Sequence, residues 1–111
     1  MITLSVDEAY AFDFLSILEV KINTVGDYVS YEKCLEELKK QLGEKVTEIV
    51  QSKEYYDMVF INRKIYNMVD RIRAGEPISG KEVDAANTER FVIKKELQKR
   101  FFGNEVQERK N

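Results

Sequence analysis

The residues able to do chemistry in this chain fall into short files with helical spacing. Asn62, Tyr66, Asp70 and Arg73 are separated by four, four and three positions, and Asn87, Arg90 and Lys94 by three and four. On an α-helix such spacings place side chains on successive turns of one face. An otherwise apolar segment near the start adds Asp13, Glu19 and Lys21. Brought together between helices, these groups would line a polar groove. Amides would orient a ligand, Arg90 and Lys94 would hold an anion, and Asp13 or Asp70 would accept hydrogen bonds from hydroxyls. A small anionic ligand, a phosphorylated sugar or a nucleotide, suits that chemistry. The competing reading is structural: the same residues form ordinary ion pairs, such as Asp70 with Arg73, each contributing about 0 to 1 kcal/mol at a surface.

Composition removes several classes of function. The chain has no histidine and a single cysteine, Cys34, so His or Cys zinc sites and histidine-dependent triads are excluded. Carboxylates are then the remaining metal ligands. Glu54 and Asp57 have a spacing of three that would suit magnesium-dependent phosphate chemistry. The preceding segment, with Glu32, Glu36, Glu37, Glu44 and Glu48, offers no matching pair. Neither a metal nor another cofactor is expected. Cys34 lies among Glu32, Glu36 and Glu37, whose negative field disfavours a thiolate, and an unpaired cysteine fits a reducing compartment. Lys94, Lys95, Lys99 and Arg100 form a local basic run, but Glu96, Glu105 and Glu108 dilute it. With 18 Lys and Arg against 20 Asp and Glu, nucleic acid is not an expected partner. No apolar run approaches the roughly 18 to 20 residues that span a bilayer, and Met1 to Leu4 lacks a signal peptide's basic start. The expectation is a cytoplasmic protein without a membrane anchor.

The elements that must position these residues are read from apolar periodicity and punctuation. At 111 residues, 43% of them hydrophobic, the chain can close one core. Ser5 and Glu8 have capping-box spacing and predict a first helix from about Val6 to Asn23 or Thr24, with Tyr10, Phe14, Ile17, Leu18 and then Val25 on its apolar side and Phe12, Leu15 and Ile22 widening that face until much of the circumference is buried. A second period starts at Ser30 and carries Tyr31, Leu35, Leu38, Leu42, Val46 and Ile49. It predicts one helix bent at Gly43, with two shorter helices as the alternative. Ser52 can cap a third helix with the stripe Met58, Ile61, Ile65, Met68 and Ile72. Gly75 and Pro77 mark a turn, after which Ser79 and Glu82 open a last helix that ends near Gly103 and Asn104. The sum is an all-α antiparallel bundle of about four helices in one domain, residues 1–104. A polar, frayed tail is expected over 105–111, and Ile2 to Leu4 are expected as a short extended arm against the bundle or a partner chain.

Three segments together resemble an uncharacterised family of small bacterial and phage proteins, a domain of unknown function often found in glycan or lipopolysaccharide gene neighbourhoods. Asp13 through Lys21 is similar to the family pattern Asp-x-Leu-Thr-Ile-Leu-Glu-Ile-Lys. Asn62, Ile65-Tyr66, Val69-Asp70 and Ile72-Arg73 follow Asn-x-x-Leu-Trp-x-x-Glu-Asp-x-Ile-Arg, and Asn87, Arg90, Ile93 and Lys94 follow Asn-x-x-Arg-x-x-Leu-Lys. Tyr66 stands where tryptophan is usual and Val69 where glutamate is. The resemblance implies the same polar residues that spacing singles out, and a host cytoplasm if the chain is phage-encoded. It implies no reaction.

The leading expectation is a non-enzymatic module that binds a protein partner or itself, because a chain this short has difficulty burying aromatics as numerous as Phe12, Tyr56 and Phe102. In that reading the polar file fixes helix register. The alternative is the anionic small-molecule site described above.

Overall fold

The computed structural model describes residues 7–103, folded as five helices: α1 (Glu8–Val25), α2 (Tyr28–Leu42), α3 (Lys45–Val50), α4 (Lys53–Arg73) and α5 (Gly80–Phe102). The expected Ser5 cap, the Ile2–Leu4 arm and the tail over 105–111 lie outside the described residues. Within them the protein is an all-α bundle, and no helix there is long and apolar enough to cross a membrane.

Local chemistry accounts for the ends of the helices. Asp27 and Ser30 open α2: the Asp27 carboxylate accepts from the Ser30 amide at 3.2 Å and from its hydroxyl at 2.8 Å, which holds the Asp27 carboxyl below its usual value. Ser52 opens α4 by accepting from the Tyr55 amide while donating to the Ile49 carbonyl at 2.6 Å. Ser79 opens α5 by accepting from the Glu82 amide. Gly26 ends α1 in the left-handed region, φ 71°, where its amide closes onto the Ile22 carbonyl.

The segment expected as one helix bent at Gly43 is two helices. Gly43 has φ 66° and ψ −142°, well outside helical values, so the backbone cannot carry α2 through it. Its amide still bonds the Lys39 carbonyl at 2.8 Å, and the chain re-enters a helix at Lys45. The break lets Leu38 on α2 and Val46 and Ile49 on α3 all reach the same core.

That core gathers Ala9, Phe12, Leu15, Val20, Leu38, Val46, Ile49, Tyr55, Met58, Val59, Leu97 and Phe101. The inward face of α1 is thus the Phe12 and Leu15 side. Tyr10, Phe14 and Val25, expected on the buried side, are 48%, 52% and 65% exposed. Helices α4 and α5 form a long antiparallel hairpin, and α1 lies over its seam, reaching Gln98 from Ala9 and Tyr55 from Glu19. Towards the turn a smaller apolar cluster of Ile61, Met68 and Ala86, backed by Ile65, Ile78, Val83 and Ile93, belongs to the hairpin alone. Ile72, read as the end of the α4 stripe, is 44% exposed there.

Candidate functional site

Four of the ten residues singled out from the sequence meet where α1 crosses the hairpin. Asp13 on α1 is almost fully buried. Its carboxylate accepts from Arg90 on α5 in a two-pronged geometry, Nε at 3.0 Å to Oδ1 and Nη2 at 2.5 Å to Oδ2. Asn62 on α4 donates to the same Oδ1 at 2.9 Å, and the Lys94 ammonium lies 3.6 Å from Oδ2. Asn62 turns its second amide hydrogen to the Ser16 hydroxyl at 2.7 Å, and that hydroxyl donates in turn to the Asp13 backbone carbonyl at 2.6 Å. The Lys94 ammonium also sits 5.0 Å from the centroid of the Tyr10 ring, so the half-exposed aromatic covers the charge.

One carboxylate therefore joins three helices. Planar guanidinium against planar carboxylate fixes direction as well as distance, and the two hydrogens of the Asn62 amide each have one acceptor. Among the described residues, no buried side-chain nitrogen or oxygen lacks a hydrogen-bond partner.

Glu19 belongs to a second junction. Its Oε1 accepts from the Tyr55 hydroxyl of α4 at 3.1 Å and from the Tyr31 hydroxyl of α2 at 3.4 Å. Burial first, and then the Glu19 charge, push both phenols above their ordinary value, so both stay protonated as donors. Cys34 is half-buried nearby, and burial raises its thiol. The expected cause was the surrounding glutamates; desolvation is the one found.

The other candidates stand apart. Tyr66 packs, half-buried, against the main core. Lys21, Asp70, Arg73 and Asn87 are exposed, and the Asn87 amide bonds its own helix at the Val83 carbonyl. The basic run of the last helix is divided as well, for Lys94 turns inward and Arg100 pairs with Glu54 of α4. Glu54 and Asp57 each face a cation, Arg100 and Lys53, and among the described residues no group of three or more Asp, Glu or Cys side chains is placed to hold a metal ion.

Sequence spacing left out two members. Gln98 is fully buried: its Oε1 accepts from the Ala9 amide at 2.8 Å and its Nε2 donates to Glu8 at 2.6 Å. It thereby satisfies a free amide in the first turn of α1, where Asp7 makes no side-chain cap. The signal was present, since Gln98 follows Lys94 by four and extends the file of Asn87, Arg90 and Lys94. Ser16 follows Asp13 by three in the same way.

On the opposite face of the hairpin, away from α1, runs an open groove. One part, of about 500 Å³, is lined by Phe60, Arg63, Lys64, Asn67, Arg71, Glu82 and neighbours. The adjoining part, of about 410 Å³, is lined by Asp57, Phe60, Glu89, Val92, Glu96 and neighbours. Phe60 is shared by both and is 69% exposed.

Compared with family models, curated proteins and solved structures, the chain finds no match.

Proposed function

We propose that the chain is a non-enzymatic helical module for protein interaction or self-association, in which the Asp13 network sets the orientation of α1 on the hairpin. The observation that carries this reading is the distribution of large apolar side chains. The main core is closed, yet Phe60, Tyr56, Tyr28, Phe14 and Tyr10 stand between about half and three-quarters exposed on regular helices. Aromatic side chains held on a rigid surface are what anchor protein interfaces. The polar residues that converge bond one another, while Asp70, Arg73 and Asn87 do not join them, so the groups proposed for an anionic ligand do not share one pocket.

Thermal unfolding against a panel of sugar phosphates, nucleotides and divalent metals, with Arg90→Ala in parallel, tests the reading. A ligand at 100 times its dissociation constant adds about 2.7 kcal/mol, which moves the midpoint by roughly 10 °C in a domain this size. The expected result is a silent panel and a lower midpoint for the variant without any ligand. A ligand-induced rise that disappears in Arg90→Ala refutes the module reading and supports the phosphorylated sugar or nucleotide.

A further inference from the structure

We infer that the partner seated on the α4–α5 groove is a second copy of this chain, related by a two-fold axis running along the groove; this rests on the interaction-module reading. The two walls of the groove have opposite character. On α4, Phe60, Lys64, Asn67 and Arg71 recur at four, three and four positions. On α5, Glu82, Ala85, Glu89, Val92 and Glu96 recur at three, four, three and four. These are the seam spacings of helices that pack side by side, and here they face outward from a finished hairpin. One wall carries cations, the other carboxylates, and Phe60 and Val92 are exposed apolar positions between them.

A two-fold axis along the groove sets α4 of each copy against α5 of the other. Because the hairpin is antiparallel, Arg71 lies level with Glu82, Lys64 with Glu89, Phe60 with Val92 and Asp57 with Glu96. Lys64 and Arg71 of one copy then meet Glu89 and Glu82 of the other, twice over by symmetry, with Arg71 shared with Glu76 of its own copy at 3.2 Å, and Phe60 meets Val92. The level of like charge is softened, since Lys53 already pairs with Asp57 at 3.2 Å. An axis across the groove would instead stack α5 on α5 and place glutamate against glutamate. Among the described residues neither Lys64 nor Glu89 takes part in an ion pair, so a partner would meet both side chains uncommitted.

Sedimentation velocity over about two decades of concentration, up to roughly 1 mM, tests the assignment. The variants are Lys64→Glu and Glu89→Lys, both at exposed positions, with far-UV circular dichroism to show that each is folded. The expected result is a wild-type dimer, at least tenfold weaker association for each variant alone, and dimers restored when the two variants are mixed. The loss and the recovery together mark the α4-against-α5 arrangement: an axis across the groove already sets like charges together in the wild type, so there neither variant alone would weaken association. A wild-type chain that stays monomeric overturns the inference and leaves the module reading with a different partner. A dimer unaffected by either variant also overturns it, while upholding self-association through another face.

Discussion

Replacing Asp13 by alanine is the perturbation that most directly probes the network under α1. Its side chain is 3% exposed, and its loss leaves Lys94, 8% exposed, and Arg90, 28% exposed, without the carboxylate that joins them. Breaking one member out of a buried ion pair costs about 3 to 5 kcal/mol, because the remaining charge stays desolvated. Asn62 loses one of its two acceptors as well. We therefore expect Asp13→Ala to cost about 4 kcal/mol, a large share of the 5 to 15 kcal/mol typical of a domain. Urea unfolding followed by circular dichroism reads it directly. With a slope of about 1.5 kcal/mol per molar, the midpoint falls by roughly 2.5 M. Arg90→Ala should cost less, about 2 to 3 kcal/mol, because the guanidinium is partly solvated and Lys94 and Asn62 still face the carboxylate. The double variant should then cost about 1 kcal/mol or more less than the sum of the two single effects. A cost below about 1 kcal/mol for Asp13→Ala, or strict additivity with Arg90→Ala, would refute the claim that this carboxylate ties the three helices together.

Alkaline pH should destabilise the fold through Tyr55 and Tyr31. Their folded values lie above the ordinary 10.0, so above that pH the unfolded chain releases these protons first. Stability is thus intact below pH about 10 and, through Tyr55, falls above it by at most roughly 1.4 kcal/mol per pH unit, with a smaller contribution in the same direction from the more exposed Tyr31. Tyr55→Phe should flatten the slope in denaturant titrations between pH 9 and 11 on the order of one proton. Ser52→Ala should cost about 1 to 2 kcal/mol in urea unfolding, since Ser52 both caps α4 and bonds the end of α3. Arg100→Ala, by contrast, removes the exposed partner of a pairing in which Arg100 is 55% and Glu54 16% exposed, and should lower stability by about 1 kcal/mol.

Punctuation was the most legible part of the sequence. Ser52, Ser79 and the Gly75–Pro77 turn act locally, through one side chain on one nearby amide or through a fixed φ, and local chemistry survives whatever the helices pack against. Convergence of Asp13, Asn62, Arg90 and Lys94 was legible because helical spacing fixes which side chains share a face. The spacing says nothing about where a neighbouring helix stops. Asn62 lies under α1, but the file continues to Asp70 and Arg73, beyond the stretch that α1 covers, and there the same face meets water. The inward face of α1 was misread for a related reason: Tyr10 and Phe14 are as apolar as Phe12 and Leu15, and only the seam of the hairpin decides between them. At Gly43 the continuous apolar phase favoured one helix, while the backbone geometry that the glycine allows favoured two.

The small cluster towards the hairpin turn has a consequence for dynamics. From Ile65 to the turn the two helices hold each other through Ile65, Met68, Val83 and Ala86, in a cluster separate from the main core. Opening that arm exposes little apolar surface, so its amides should exchange with solvent through local fluctuations that leave the rest of the bundle intact. The basic end of the groove, with Arg71 and Glu82, lies on this arm. A partner seated there would bind this arm directly, and should slow the exchange of its amides.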